Sequence, residues 1–241
     1  MNKDFVTKNR QIEILKNTIL SSGLIDEDIL NEASKLYYDN PYHNFLHVLR
    51  VTSYVLLLNK NDFSPLEIRS LMIAGLFHDA GHTGTAMELD EFISLDYFRK
   101  TMDKYPDFLI DDSICRHGII GTVFKNRAKN KNKYSKIMAD LDIGDIGSGI
   151  ADFIYYSSLF SLEEYVKPEY FYTEVEKGYF KYLMSIDKFV MISSEAREVL
   201  PNSLKTIREF YNIPLDKKLS MFETLKNEDI TLDEFREKYF N

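Results

Sequence analysis

The sequence predicts an all-α protein that folds as a single compact multi-helix bundle. Apolar residues recur at helical spacing, and typical helix-start signals recur along the chain. Only 10 glycines and 6 prolines occur in 241 residues, and no convincing alternation of strand length is present. We therefore expect eight to eleven helices. One apolar stripe illustrates the period: Phe45, Val48, Leu49, Val55 and Leu56.

Helix starts can be assigned in chain order from capping signals. Asn40-Pro41 predicts a helix from Tyr42 to about Lys60. Ser64-Pro65 followed by Glu67 forms a capping box with proline at the first helical position. The same spacing of Ser161 with Glu164 and of Thr231 with Glu234 predicts two further starts.

Turns and exposed segments follow from glycine and charge. Four glycines are expected at helix ends or tight turns: Gly81, Gly84, Gly144 and Gly147. The segment 125–136 is the most polar in the chain, and it predicts an exposed loop or helix start whose basic run is a solvated face.

Length and charge limit the classes of function. We expect one domain over 1–241, with a motif-bearing core at about 40–150 and C-terminal helices at about 150–241. The 30 basic and 38 acidic residues give a net charge of −8, which disfavours a nucleic-acid polymer as a partner. The longest apolar run, Tyr54–Leu58, is far too short to span a membrane.

A single cysteine, Cys115, excludes a disulfide framework and a cysteine-based metal site. It also suits a reducing compartment, and the first residues do not resemble a signal peptide. We therefore expect a cytoplasmic protein in which nitrogen and oxygen ligands hold any metal.

The histidines carry the strongest chemical signal. Of five histidines, four form two pairs at i, i+4 spacing, His43/His47 and His78/His82. Random placement of five histidines would give roughly 0.1 such pair. This spacing predicts that both members of a pair share one helix face, and Asp79 adds a carboxylate. Imidazole and carboxylate groups together indicate a divalent metal site.

These residues resemble the HD-domain superfamily of metal-dependent phosphohydrolases. The segment 78–84, His-Asp-Ala-Gly-His-Thr-Gly, resembles the His-Asp-x-x-His-x-Gly signature. Upstream, the segment 42–47, Tyr-His-Asn-Phe-Leu-His, is similar to the Tyr-His-Asn-x-x-His motif of the class I cyclic-nucleotide phosphodiesterase catalytic domain. The resemblance implies an all-α phosphodiesterase-like fold and a metal-dependent phosphoric ester hydrolase.

The family uses a further aspartate from a later helix. The segment 136–143, Lys-Ile-Met-Ala-Asp-Leu-Asp-Ile, resembles that motif and offers Asp140 and Asp142. The two positions lie about 200° apart around a helix, so both cannot face one ion within a continuous helix. We expect Asp142 to be the ligand, with Asp140 as the alternative.

By resemblance, two divalent ions (Zn, Mg or Mn, with Fe possible) assist the reaction. The first ion would be held by His47, His78, Asp79 and Asp142. Asp79 would bridge to the second ion, with His82 close to that ion and its waters. A metal-bridging hydroxide would attack the phosphorus, and His43 would act as general acid toward the leaving oxygen.

Three further side chains are expected to orient these groups rather than to react: Tyr42, Asn44 and Glu91. Glu91 is the preferred member of an acidic cluster with Glu88 and Asp90. No substrate-binding residue can be named with the same support. Phe222 is a weak candidate for clamping a base.

The substrate is expected to be a small nucleotide phosphoester, with a cyclic nucleotide as the leading choice. Related phosphodiesterases recognise the base with a C-terminal glutamine, whereas the only glutamine here is Gln11. The sequence therefore predicts a class of nucleotide and no single base. It also assigns neither a single metal nor an oligomeric state. The alternatives are a nucleotide phosphomonoesterase, a di-iron oxygenase and a non-catalytic nucleotide sensor.

Overall fold

The computed structural model describes residues 3–84, 89–163, 190–228 and 230–240. Within these ranges the chain forms twelve α-helices and two 3₁₀ helices, with no β-strand. The predicted all-α fold is confirmed, with one helix more than the upper end of the expected number. No helix in the described ranges is both long and apolar enough to cross a membrane.

The α-helices follow one another with short connections. The first six are α1 Lys3–Ser21, α2 Glu27–Ser34, α3 Phe45–Val55, α4 Pro65–Phe77, α5 Asp90–Met102 and α6 Asp112–Gly121. The next six are α7 Lys133–Asp142, α8 Ile150–Glu163, α9 Ser194–Val199, α10 Ser203–Asn212, α11 Leu215–Asn227 and α12 Leu232–Phe240. The two 3₁₀ helices are Phe124–Lys129 and Gly144–Gly147.

Helix α3 begins later than its sequence predicts. Asn44, not Asn40, is the N-cap, because its side chain accepts hydrogen bonds from the backbone N–H groups of Leu46 and His47. Its side-chain amide also donates to the carbonyls of Asn40 and Pro41. The helix ends at Val55, where three i→i+3 bonds close turns before Lys60.

The other capping signals have mixed outcomes. The capping boxes at Ser64 and Thr231 are confirmed. In each box the cap hydroxyl accepts a hydrogen bond from the backbone N–H of the glutamate three residues later. The carboxylate of that glutamate accepts in turn from the backbone N–H of the cap residue. The predicted start at Ser161 is wrong, because Ser161 lies inside α8. Glu164, its supposed partner, lies outside the described residues.

Helix α4 runs through the centre of the bundle. Nine of its ten residues from Ile68 to Phe77 are buried, and an all-round buried helix must be surrounded by others. Helices α3, α5, α6 and α7 pack against it. Cys115 is buried here, with Sγ donating to the Ser70 carbonyl at 3.3 Å. One hydrophobic cluster extends from Ile19 to Phe235.

The basic segment before α7 includes an unexpected buried cation. Asn132 caps α7, which agrees with a predicted helix start in this segment. Arg127 is only 1% exposed, so the expectation of a wholly solvated basic face is wrong at this position. Its guanidinium is held by the carboxylate of Asp140 and by the Val190 carbonyl.

Candidate metal centre

Three helix ends meet at one place and bring four candidate ligands together. His47 lies in the first turn of α3, and His78 caps the C-terminus of α4, with Asp79 next to it. Asp142 is the last residue of α7. The three segments are far apart in sequence, so only the tertiary fold unites them.

The i, i+4 histidine pairs are not on continuous helices. His43 precedes the Asn44 cap of α3, and His82 follows the end of α4 in a turn closed by its N–H to the Asp79 carbonyl. The predicted common helix face is therefore wrong for both pairs. Each pair instead straddles a helix end, which places one member in each of two neighbouring clusters.

The four ligand atoms of the first cluster converge closely. His47 Nε2 is 3.3 Å from Asp79 Oδ2 and 3.2 Å from Asp142 Oδ1. His78 Nε2 is 3.1 Å from Asp79 Oδ2 and 3.2 Å from Asp142 Oδ1. The two Nε2 atoms are 3.3 Å apart.

Hydrogen bonding alone does not account for this convergence. An imidazole Nε2 has one proton or one lone pair, so it cannot serve three neighbours at once. Asp79 Oδ2 is buried, and within the described part of the chain no well-aligned hydrogen bond reaches it. Ligands held about 2.1 Å from one ion are roughly 3.0–3.4 Å apart, which matches these separations. The donor set therefore fits a divalent cation.

The surroundings of His78 favour metal binding through Nε2. Its Nδ1 is 2.8 Å from the Gly75 carbonyl, which can only accept a hydrogen bond. The Nδ1 atom must therefore carry the proton, which leaves the Nε2 lone pair directed at the cluster. Behind His47, Arg50 Nη2 lies 3.4 Å from Nδ1 and binds Asp145.

The histidines and aspartates of the cluster change each other's pKa values. Burial alone would lower the pKa of His78, but Asp79 and Asp142 raise it well above its ordinary value. Burial would likewise raise the pKa of Asp79 and Asp142, yet the two histidines lower both. The cluster thus holds positive and negative charge together, and a cation can replace the proton on His78.

The two aspartates of α7 have different environments. Asp142 belongs to the cluster, as described above. Asp140 is fully buried on another side, where it binds Arg127 and accepts from the N–H groups of Ile192 and Ser193 at 3.1 and 2.7 Å. Asp140 therefore ties α7 to the segment before α9 and does not reach the histidines.

A second cluster lies beside the first and contains a residue that the sequence analysis missed. Glu163, on α8, has Oε1 at 2.6 Å from His43 Nδ1 and 3.5 Å from His82 Nδ1. Its Oε2 accepts from the N–H groups of Tyr42 and His43 at 2.7 and 2.9 Å. No local spacing marks Glu163, because Tyr42 and His43 lie about 120 residues before it and His82 about 80 residues before it.

The second cluster is arranged around a hydrogen-bonded histidine. The rings of His43 and His82 stack with centroids 3.8 Å apart. Burial alone would lower the pKa of His43, but the hydrogen bond to Glu163 and the nearby carboxylates raise it. Burial and the charge of His43 lower the pKa of His82. One imidazole therefore favours the protonated form and its neighbour the neutral form.

The three residues predicted to orient the site, Tyr42, Asn44 and Glu91, lie next to the clusters or near them in sequence. Tyr42 packs on the His47 ring at 4.7 Å, with its hydroxyl donating to Asp145 at 3.3 Å, and Asn44 caps α3. Glu91 lies half-buried in the first turn of α5, and burial together with the charges of Asp79, Asp90 and Asp142 raises its pKa. Glu88 lies outside the described residues.

Phe222, the weak candidate for clamping a base, lies on α11. It is 2% exposed and belongs to the hydrophobic core. Its ring therefore has no open face for a ligand in this structure.

Comparison with known proteins agrees with this geometry. Residues 42–89, which contain His47, His78 and Asp79, match the sequence profile of the 3'5'-cyclic nucleotide phosphodiesterase family. The phosphodiesterase domain of the RhoPDE fusion protein from the choanoflagellate Salpingoeca rosetta has a similar structure. It is 14% identical, with a TM-score of 0.51, over 96% of this chain and 92% of that chain. No curated protein matched.

These comparisons confirm the predicted resemblance to the class I phosphodiesterase catalytic domain. The profile covers the motif segment, and the described helices adopt the fold of a phosphodiesterase domain. The described residues also contain two clusters of histidine and acidic side chains that suit metal binding, as the predicted phosphodiesterase-type hydrolase would require.

Proposed function

We propose that this protein is a metal-dependent phosphodiesterase that hydrolyses a cyclic nucleotide or a closely related small nucleotide phosphoester. The observation that carries the proposal is the convergence of His47, His78, Asp79 and Asp142 on one point, with pairwise separations that suit a shared divalent ion. The match of residues 42–89 supports cyclic nucleotides as the substrate class.

The first ion would be held by the four residues of this cluster, and Asp79 would also face a second ion. When bound, such ions supply an activated water and neutralise the phosphoryl oxygens. The 3.2 Å contacts of Asp142 Oδ1 with both histidines support it, rather than Asp140, as the ligand from α7.

We assign His43 as the general acid. Its Nδ1–H donates to Glu163 Oε1, so the transferable proton is the one at Nε2. Glu163 also fixes the backbone on either side of the Tyr42–His43 peptide, so one carboxylate both orients the imidazole and stabilises its charged form. Glu163 is therefore a positioning residue for the acid.

His82 is assigned as a neutral neighbour of His43 rather than as an acid. Its Nδ1 accepts from the Gly84 N–H at 3.1 Å, and its lowered pKa favours the neutral ring. A neutral imidazole stacked on His43 excludes water from one face of the acid without competing for the proton. We place His82 beside the second ion and its waters.

Three further features of the chain bear on its domain organisation, its location and its choice of base. The continuous hydrophobic cluster supports a single domain over 1–241. The single cysteine supports a cytoplasmic location. Gln11, the only glutamine, lies on α1 and not in a C-terminal helix, so the proposal names a class of nucleotide rather than one base.

Elemental analysis of the purified protein, followed by a hydrolysis panel with Mn²⁺, Mg²⁺ or Zn²⁺, tests this function. We expect bound divalent metal and opening of cyclic nucleotides to nucleoside monophosphates. Free phosphate from monoesters, without ring opening, would instead indicate a phosphomonoesterase. Iron-dependent oxygen consumption would indicate an oxygenase, and ligand binding without turnover would indicate a sensor.

The same panel applied to His78→Ala and Asp79→Ala tests the ligand assignment. Both changes remove a ligand, so metal and activity should be lost together. Retention of tightly bound metal by both folded variants would contradict the assignment.

A further inference from the structure

A buried ion pair lies directly behind the first cluster. Arg50 lies three residues after His47 on α3, and Asp145 lies three residues after Asp142 in the 3₁₀ helix Gly144–Gly147. Arg50 Nε and Nη2 bind the two carboxylate oxygens of Asp145 at 3.2 and 3.0 Å. The pair thus joins the two segments that supply His47 and Asp142.

The pair is enclosed on several sides. The side chains of Arg50 and Asp145 are 12% and 8% exposed. The Tyr156 ring on α8 lies 3.6 Å from the guanidinium carbon, and the Tyr42 hydroxyl donates to Asp145 Oδ2. A two-point guanidinium–carboxylate bond in such a setting permits little change of angle or distance.

The backbone approach at this joint is also close. A Cβ atom on Gly144 would lie 2.5 Å from a ring carbon of Tyr54, so the 3₁₀ helix can approach α3 only through glycine. The Tyr54 and Ser148 hydroxyls, 2.9 Å apart, share a hydrogen bond across the same joint. The ion pair is therefore one part of a closely packed contact between α3 and the 3₁₀ helix that follows α7.

A gain in folding stability does not by itself explain a buried ion pair of this kind. The cost of removing two charges from water offsets most of their attraction, and apolar replacements of similar volume are often neutral or stabilising. A buried two-point bond between a guanidinium and a carboxylate fixes distance and angle, whereas an apolar contact does not. That geometry matters here, because His47 and Asp142 must remain 3.2 Å apart to share an ion.

We propose that Arg50 and Asp145 are positioning residues that hold His47 and Asp142 at the spacing required for one divalent ion. This inference rests on the proposed function. Neither residue is assigned as a ligand. Each acts through the segment that it fixes, and Arg50 Nη2 also lies 3.4 Å from His47 Nδ1.

The test is a double-mutant cycle with Arg50→Met, Asp145→Asn and the double variant, titrated with Co²⁺. Loss of a group that orients a ligand typically weakens metal binding about 10–100-fold, and we expect each single change to do so. Because the pair acts as a unit, the double variant should bind Co²⁺ no more than about threefold more weakly than the weaker single variant. The visible Co²⁺ spectrum should change in all three, since the coordination geometry relaxes.

A matched control is the partly exposed pair Arg236–Asp152, which joins α12 to α8 with contacts of 2.7 and 2.8 Å. Arg236→Met and Asp152→Asn should leave Co²⁺ affinity and spectrum unchanged. Asp145→Asn preserves side-chain shape, so it reports on the pair even where Arg50→Met fails to fold.

The outcomes separate the two proposals. A wild-type protein that binds no Co²⁺ would overturn the proposed metal centre and this inference with it. A wild type that binds Co²⁺, with folded Arg50 and Asp145 variants that match its affinity and spectrum, would overturn the positioning role alone. Losses that multiply in the double variant would also overturn it.

Discussion

Asp140 and Asp142 show how two identical side chains on one helix end can have different tasks. Asp142 Oδ1 contacts both histidines of the first cluster, whereas Asp140 is fully buried against Arg127 and two backbone N–H groups. The sequence narrows the ligand to these two residues and no further. The two aspartates are distinguished by Arg127, which pairs with Asp140 only in the folded chain. Arg127 lies in a basic segment, and its neighbours in sequence do not indicate that it is buried.

Amide substitution should therefore separate the two aspartates. Asp142→Asn should lose bound metal while remaining folded, because it removes a ligand charge. Asp140→Asn should keep the metal stoichiometry but lose about 3–5 kcal/mol of unfolding free energy, since it leaves the Arg127 charge buried and unpaired. Metal analysis and urea denaturation measure both effects, and the reverse pattern would assign Asp140 as the ligand.

Glu163→Gln should shift the pH dependence of catalysis. The Glu163 carboxylate helps to raise the pKa of His43, and a general acid must be protonated to act. Activity is thus lost as the pH rises through the pKa of His43, and removing the carboxylate should move this alkaline limb to lower pH. The pH profile of kcat on a cyclic nucleotide measures the shift.

Two comparisons sharpen this experiment. Glu13→Gln, on an exposed face of α1, should leave the profile unchanged. A nitrophenyl ester, whose leaving group needs no protonation, should lose much less rate than the cyclic nucleotide in Glu163→Gln. An unchanged alkaline limb would show that Glu163 does not tune the acid.

At the scale of elements, the site is built from helix ends rather than helix faces. His47 follows the cap of α3, His78 ends α4, and Asp142 ends α7. The capping boxes at Ser64 and Thr231 were predictable because they depend on residues three apart. The true arrangement of the histidine pairs was not predictable in this way, because Asn44 caps α3 between His43 and His47, and α4 ends before His82.

The contact between α6 and α7 should be sensitive to a single methyl group. A Cβ on Gly121 would lie 2.6 Å from the Cα and carbonyl oxygen of Ser135, so Gly121→Ala must separate the two helices. Overpacking of this kind costs about 1–3 kcal/mol. Because α7 carries Asp142, metal affinity should fall as well.

Urea denaturation and Mn²⁺ titration measure the two effects of Gly121→Ala. Ser113→Ala, an exposed change on the same helix, is the matched control and should alter neither. Wild-type metal affinity in a destabilised Gly121→Ala protein would show that α7 can shift without moving its ligand.

At the scale of the whole molecule, the metal centre joins parts of the chain that are remote in sequence. The fold class and the motif-bearing half could be predicted from short-range patterns, namely capping signals, apolar periods and histidine spacing. Glu163 could not, because its partners His43 and His82 are brought to it only by the packing of α8.

Bound metal should therefore stabilise the entire fold. A ligand that binds only the folded state at 100 times its dissociation constant adds about 2.7 kcal/mol. For a chain of this length that corresponds to a rise in Tm of about 5–10 °C. Thermal unfolding with Mn²⁺ and with a chelator measures the difference. Asp79→Asn should show no such rise, and an equal rise in that variant would locate the stabilising ion elsewhere.

The burial of Cys115 has a practical consequence for spectroscopy. Burial raises the pKa of its thiol, and the thiolate is the form that reacts with alkylating dyes. A cysteine introduced at an exposed position such as Leu109, which is 70% exposed, should therefore be labelled selectively without first removing the native one. The natural chain is in effect already a cysteine-silent background for fluorescence or spin-label distance measurements.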